Sequence, residues 1–326
     1  MSDTLLAIDD LDVRYPTSEG EALILTHIDF AVPDKTVVGL VGESGSGKST
    51  LALALMGLLP ENARISASRA RFAGRDLQGL RPAAVSSLRG EAIAMVFQDP
   101  MTALNPLFTV GTQLVDIQRR KRPNESRKAL WERGRAMLER VGVPDPAARM
   151  HRYPHEFSGG MRQRVVIAMA LLVEPRLLIA DEPTTALDAT IEAQIVEILK
   201  DLRNEIEGSV LVISHSFGLI AELCDSVVVL YAGGVVETGP TAQVLTAPRH
   251  PYTKALLACE IDPYALFEPG ERLATIPGVV PNPARRPAGC SFAARCASRH
   301  ERCSEPPPFV TLTPGRGAAC WLEVPA

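Results

Sequence analysis

No stretch of this sequence stays apolar for the roughly eighteen residues that a membrane-spanning helix requires. The longest apolar runs, such as Val165–Val173 and Val227–Tyr231, stop well short of that length. The opening residues MSDTLLAIDD have no basic region ahead of their apolar ones, so a secretory leader is not expected and a cytosolic setting is. Positive charge is not in excess either. Lys+Arg 34 against Asp+Glu 38 gives a net charge of −4, which supplies no overall basic field for nucleic acid. The local basic run Arg119–Arg122 reads as a solvated face. Cysteine is sparse at six residues, four of them in about the last forty, and a cytosolic compartment argues against disulfides. What is present is an ordinary globular composition, 46% apolar and 22% charged, in a 326-residue chain long enough for one large domain or two smaller ones.

The clearest motif is GESGSGKST at Gly42–Thr50. It fits the G-x-x-x-x-G-K-[ST] phosphate-binding pattern through Gly42, Gly47, Lys48 and Ser49, between a strand-like run Val37–Val41 and a helix-like run Thr50–Leu59. Glycines let a loop turn its N–H groups inward, and a helix N-terminus adds partial positive charge, so the two together cradle an anion. Lys48 is expected to reach the terminal phosphates and the Ser49 hydroxyl to sit on magnesium.

Before the loop, residues 5–14 alternate as a half-buried strand, with Tyr15 at its end, and a second strand pattern covers Ala22–Val32. Tyr15 can stack on a nucleotide base or simply pack at a strand end. After the loop, Arg64–Phe72 and Ala92–Phe97 read as strands, the second leading into Gln98. The turn-rich Asp99–Gly111 follows, and helical periodicity then runs from Thr112 to Val141. This region looks like a helical subdomain inserted between sheet-forming parts.

Ser158-Gly159-Gly160, ahead of the apolar helix Val165–Val173, is a second helix start suited to an anion, or an ordinary cap. The buried strand Arg176–Ala180 ends in Asp181-Glu182, at the strand end where ligands bind in α/β sheets. There Asp181 suits a magnesium shell, and Glu182 can polarise water against a γ-phosphate. Asp188 follows within a turn. Ser209–Ser214 is a further buried strand ending at His215, and Val227–Tyr231 with Val235–Glu237 form a last hairpin.

Taken together, these residues resemble the ATP-binding cassette ATPases. GESGSGKST resembles the Walker A loop, Gln98 the Q-loop glutamine, FSGGMRQR the signature, LLIADE the Walker B strand with its catalytic glutamate, TALD the D-loop and SHS the switch-histidine loop. The resemblance implies ATP binding by Tyr15, Gly42, Ser44, Gly45, Ser46, Gly47, Lys48, Ser49 and Thr50. It implies magnesium at Ser49, Gln98 and Asp181, catalysis by Glu182, His215 and Gln98, and an interface role for Asp188. It further implies a head-to-tail dimer in which Ser158, Gly159 and Gly160 close over the partner's ATP. A narrower resemblance, through QDPMTALNP, YPHEFSGGMRQR, HPYTKALL and a tail of the form IPG..P…GCSF..RC…C…C, is to the nucleotide-binding subunits of oligopeptide and dipeptide importers. Phe157, Met161, Lys35 and Ser216 depart from the usual pattern, the last standing where an Asp is common.

Cys290, Cys296, Cys303 and Cys320 are separated by five, six and sixteen residues in a Pro/Gly-rich segment with little power to build a core. Such a set suggests a stapling metal, either zinc or an iron–sulfur cluster, although unligated thiols are also compatible with it. The family resemblance favours a [4Fe-4S] cluster. Cys224 and Cys259 read as ordinary buried thiols.

The expected architecture is an α/β ATPase cassette over residues 1–245, with a mixed or parallel sheet and a helical insertion at about 99–175, then a cysteine-bearing extension over 246–326. The expected function is ATP hydrolysis driving peptide import. The expected partners are a second ATPase subunit, itself or a paralogue, two transmembrane permease subunits and an extracytoplasmic substrate-binding protein, with the chain peripheral on the cytoplasmic face of the membrane. The same family also serves nickel and other small solutes. A soluble cassette ATPase acting on nucleic acid or ribosomes is the rival class, but it usually carries two cassettes or a long coiled-coil insertion, and neither is present.

Overall fold

The computed structural model describes residues 4–18, 20–184, 189–205, 208–260 and 274–325. Val37–Val41 is buried at every position, as a strand covered on both faces must be. It lies inside an eight-stranded sheet. From one edge the order is Val310–Thr313, Arg316–Ala318, Gly234–Pro240, Ser226–Tyr231, Val37–Val41, Ser209–Ser214, Leu177–Asp181 and Ile93–Val96. The five strands from Ser226–Tyr231 to Ile93–Val96 run parallel, and the other three are antiparallel additions.

Register positions the chemistry. Val41 pairs with Ser214 and Val229, Asp181 with Ile213, and Val96 with Ala180. The carboxyl ends of four strands therefore finish at one level, where the phosphate loop, Gln98, Glu182 and His215 all emerge.

A second, antiparallel sheet is built on the long pair Thr4–Thr17 and Gly20–Pro33, flanked by Arg64–Ser66, Arg69–Phe72 and Arg75–Asp76. The single strand expected over Arg64–Phe72 is thus two short ones separated by Ala67-Ser68. Between the sheets lies the helix Lys48–Met56, with Leu51, Ala52, Ala54 and Leu55 fully enclosed. Val38 and Leu40 join this core, while Val37 and Val41 face the helices on the other side. Each fully buried Leu or Val contributes about 1.5–3 kcal/mol, so the loop-bearing strand is anchored from both faces.

The helical insertion consists of Pro100–Ala103, Val110–Arg119, Arg127–Arg140, Pro146–Arg149 and Gly159–Leu172. The continuous helix expected from Thr112 to Val141 is broken at residues 120–126. Pro123 cannot continue a helix, and Ser126 starts a new one with its Oγ accepting the Ala129 N–H at 3.2 Å. Buried Gln118 ties the two helices together by donating to Leu114 O at 2.7 Å and Leu130 O at 2.9 Å.

The basic run Arg119–Arg122 is not simply a solvated face. Lys121 Nζ donates to Val173 O and Glu174 O, both at 2.8 Å, and Arg122 Nη1 to Leu172 O at 2.9 Å. These cations meet the free carbonyls and negative dipole end of helix Gly159–Leu172.

The C-terminal hairpin Val310–Thr313 and Arg316–Ala318 extends the main sheet through Ala318 opposite Glu237. Phe292 inserts among Tyr231, Tyr252 and His250, with ring centroids 5.2, 5.4 and 6.0 Å away. The tail's apolar anchor is therefore borrowed from the core sheet and the helix Pro251–Ala258. Among the described residues no helix is long and apolar enough to cross a membrane.

Candidate functional site

The phosphate loop needs its glycines for different local reasons. Gly42 has φ 158° and a Cβ there would run into the Leu230 carbonyl, while Gly47, at φ 105°, caps the following helix with a Cβ position 2.6 Å from Leu25 Cδ2. Gly45 and Ser44 form an exposed rim, and the buried Ser46 hydroxyl has no hydrogen-bond partner. Lys48 is enclosed and closes the loop on itself, donating from Nζ to Gly42 O at 2.7 Å and Glu43 O at 3.1 Å. Burial pushes the Lys48 pKa down, against the pull of Glu182, Asp181 and Glu43.

Asp181 ends its strand buried beside the loop. Burial raises its pKa, opposed by a side-chain hydrogen bond with Ser49 and by the Lys48 charge, while the Glu182 charge adds to the rise. Its Oδ1 has no partner. A hydroxyl and a carboxylate side by side, with one buried oxygen unsatisfied, fit the oxygen-donor demand of magnesium.

Glu182 turns away in a left-handed backbone conformation, φ 45°, with its side chain 15% exposed. Gln98 Nε2 donates to Glu182 Oε2 at 2.9 Å, and His215 Nδ1 lies 3.7 Å from Oε1. All three predicted catalytic residues therefore meet. Gln98 is spent on Glu182 here, while Ser49 and Asp181 lie side by side.

The remaining predicted residues are placed as follows. Thr50 sits half-buried in the first turn of the loop helix, and Tyr15 is half-buried against the core between the sheets. Ser158 caps helix Gly159–Leu172 through its Oγ on the Met161 N–H at 3.3 Å, and Gly159 faces open space. Asp188 lies outside the described residues. Ser216 caps helix Phe217–Leu223 by accepting the Leu219 N–H, which gives this departure a local structural role.

Three residues of the site were not anticipated from sequence. Glu43 N donates to Tyr252 Oη at 2.8 Å, and the Glu43 carboxylate is gripped by Arg295 at 2.7 and 3.0 Å. Tyr252 belongs to the HPYTKALL motif and Arg295 is the arginine of RC in the tail motif, but neither motif says which residue it faces.

The four tail cysteines line one pocket together with His250 and Trp321. All are free thiols. Burial pushes the Cys290, Cys296 and Cys320 thiols up, and their mutual charges push the same way. The expectation of a formed metal site is not met, because among the described residues no three Cys, His, Asp or Glu side chains are grouped to hold an ion.

A glycine-bearing loop closed by a buried lysine, with a hydroxyl beside a buried Asp and an adjacent Glu at aligned strand ends, has the form of a P-loop ATPase of the ATP-binding cassette class. Comparison with known proteins is in keeping with this. Residues 25–185 match the family model described as ABC transporter, and residues 236–303 match oligopeptide/dipeptide transporter, C-terminal region. The oligopeptide transport ATP-binding protein OppD of Escherichia coli is 46% identical over 323 residues, covering 99% of this chain and 94% of that protein. The dipeptide transport ATP-binding protein DppD of the same species is 45% identical over 97% of this chain and 96% of its own length.

Among solved structures, cbiO1 of Clostridium perfringens, part of the ABC transporter complex cbiONQ, aligns with TM-score 0.63 at 27% identity over 75% of this chain and 92% of its own. A dimeric ATP-binding cassette in a post-hydrolysis state, bound to ADP and Pi, shares the fold at TM-score 0.64 and 24% identity, over 72% of this chain and 98% of its own. The chain belongs to the ABC transporter ATPases, in the branch of the oligopeptide/dipeptide transport ATP-binding proteins.

Proposed function

We propose that the chain is the ATP-hydrolysing subunit of a peptide importer. The observation that carries this reading is the meeting of Lys48, Ser49, Asp181, Glu182, Gln98 and His215 at one end of the parallel strands. Loop N–H groups and Lys48 bind the phosphates, and Glu182 polarises the water that attacks the γ-phosphate in line, oriented by Gln98 and His215. Ser49 and Asp181 would hold a magnesium ion, with Gln98 as a further ligand once it leaves Glu182, and the ion would neutralise developing phosphate charge. Ser158 and Gly159, which are exposed, and Gly160 next to them close over ATP held by a second ATPase subunit, self or paralogue, with Asp188 at that interface. Two permease subunits would receive this motion, an extracytoplasmic binding protein would deliver the peptide, and the chain would sit peripherally on the cytoplasmic face. The names of the full-length relatives support peptide as the cargo.

The division into a cassette, 1–245, and an extension, 246–326, is part of the same reading. So is a metal at Cys290, Cys296, Cys303 and Cys320, a [4Fe-4S] cluster with zinc as alternative, supported by four sulfurs around one pocket. Metal analysis with acid-labile sulfide on protein purified without oxygen separates the two, and metal-free protein removes both.

Glu182→Gln is expected to lose at least a hundredfold in ATP turnover while still binding ATP. Hydrolysis by this variant at the wild-type rate would remove Glu182 as the base. Recovery from membranes with two polytopic proteins is the outcome expected for an importer, and recovery with ribosomes or DNA would overturn that role.

A further inference from the structure

Glu43 is the second residue of the phosphate loop, and each of its polar groups is engaged. Its carbonyl faces inward, accepting from Lys48 Nζ and from Ser46 N, both at 3.1 Å. Its N–H faces outward to Tyr252 Oη at 2.8 Å, and its carboxylate faces outward to both Arg295 Nη atoms at 2.7 and 3.0 Å. The inner side thus meets the lysine that handles nucleotide, and the outer side meets residues 209 and 252 positions further along the chain.

Arg295 is itself held from several directions. Its side chain is 5% exposed. Nε donates to Pro277 O at 2.8 Å, Nη2 to Ile276 O at 3.2 Å and Nη1 to Tyr231 Oη at 3.3 Å, with the Tyr231 ring 5.8 Å from the guanidinium carbon. A planar fork fixed in this way presents two parallel donors to a carboxylate at little entropic cost.

Two physical demands converge on this contact. As Lys48 turns from the carbonyls of Gly42 and Glu43 towards a phosphate, the first limb of the loop loses its lysine ties and keeps, on its inner side, the Ser46 N–H bond to Glu43 O. A carboxylate in that limb also places a negative charge beside a polyanion. An outer clamp that persists and cancels the charge meets both demands.

We propose that Arg295 is a positioning residue of the nucleotide site: paired with Glu43, and with Tyr252 on the adjoining N–H, it holds the phosphate loop in its binding shape and neutralises the loop's own carboxylate, whose charge would otherwise repel ATP. This rests on the reading of Gly42–Ser49 as the ATP site. The C-terminal extension is then part of the nucleotide site.

The test is equilibrium binding of a fluorescent ATP analogue and steady-state hydrolysis by the full chain, with thermal midpoints as the folding control. Arg295→Ala is expected to weaken binding and raise KM by about tenfold, with a smaller change in kcat, as an uncompensated charge near the phosphates requires. Arg295→Lys, which keeps the charge and loses the fork, is expected to fall between it and the wild type. The decisive variant is Glu43→Gln combined with Arg295→Ala, which should recover most of the binding because the repelling charge is gone. Equal weakness in the single and double variants would make the contact merely structural, and unchanged binding in folded Arg295→Ala would remove its role altogether. If Arg295→Ala does not fold, Arg295→Lys and the double variant decide the matter against wild type. Wild-type protein that binds the analogue without hydrolysing ATP would count against the ATPase reading and leave this comparison intact.

Discussion

His250 shows how a single residue can serve stability rather than chemistry. It is buried, its Nδ1 accepts the Tyr252 N–H at 3.0 Å to cap helix Pro251–Ala258, and its own N–H is taken by Glu237 at 2.9 Å. The capping bond requires a neutral ring nitrogen. Burial, helped by the Lys254 charge, accordingly lowers its pKa from 6.5 to about 4. A histidine whose folded pKa lies below its unfolded one is protonated first in the unfolded chain, so stability rises with pH across that interval. The fold is expected to lose up to about 3 kcal/mol through this group as pH falls from 6.5 towards 4, as a shift of that size implies. Denaturant titrations at pH 5 and pH 7 measure the loss. His250→Asn, which keeps a capping acceptor without the titration, is expected to flatten the pH dependence, and an unchanged slope in that variant would assign it to other groups.

Among the elements, helix Gly159–Leu172 is unusual in being tended at both ends. Ser158 caps its start. Its last carbonyls receive Lys121 and Arg122 from the loop between Val110–Arg119 and Arg127–Arg140, and Arg122 also pairs with Glu174. A helix whose first turn must stay exposed for a ligand cannot rely on packing there, so its far end carries more of the anchoring. Arg122→Ala is expected to destabilise the chain by about 1–3 kcal/mol, since its guanidinium satisfies free helix carbonyls in a largely buried position. Chemical denaturation measures this, and a change below a few tenths of a kcal/mol would reduce the contact to an exposed ion pair.

For the whole molecule, the half-site geometry carries the strongest consequence. Lys48, Asp181 and Glu182 share one site, while Ser158 and Gly159 stand open to solvent elsewhere on the helical insertion. ATP turnover per molecule is therefore expected to rise with the concentration of a second subunit, whether the same chain or a paralogue. Gel filtration of Glu182→Gln with ATP is expected to show an ATP-dependent dimer with that subunit. Turnover per molecule that stays constant over a hundredfold dilution, with no ATP-dependent dimer, would argue for a self-sufficient monomer.

The residues that meet at the candidate site were legible in the sequence because each stands in or beside a short-range pattern. Gly42, Gly47, Lys48 and Ser49 lie in one turn whose backbone geometry depends on its own glycines, while Asp181, Glu182 and His215 stand at the ends of wholly apolar runs. Strand identity followed from apolar runs as well, and Ser209–Ser214 has the bounds its pattern predicts. The break at Pro123 and the capping role of Lys121 and Arg122 were missed, since periodicity and charge do not tell which carbonyls lie opposite. The cysteines were readable as a set, but that they line one pocket with His250 and Trp321 follows from how the tail packs, which their positions in the chain do not encode.

By itself, then, the sequence determined the ATPase class and named the residues that the fold brings to one site. Only the tertiary structure decided that Gln98 and His215 both lie against Glu182, that the tail hairpin completes the main sheet, and that Arg295 reaches across 252 positions to Glu43. Such contacts follow from strand register and from which buried faces pack together. Both are properties of the assembled core, and no local window of residues contains them.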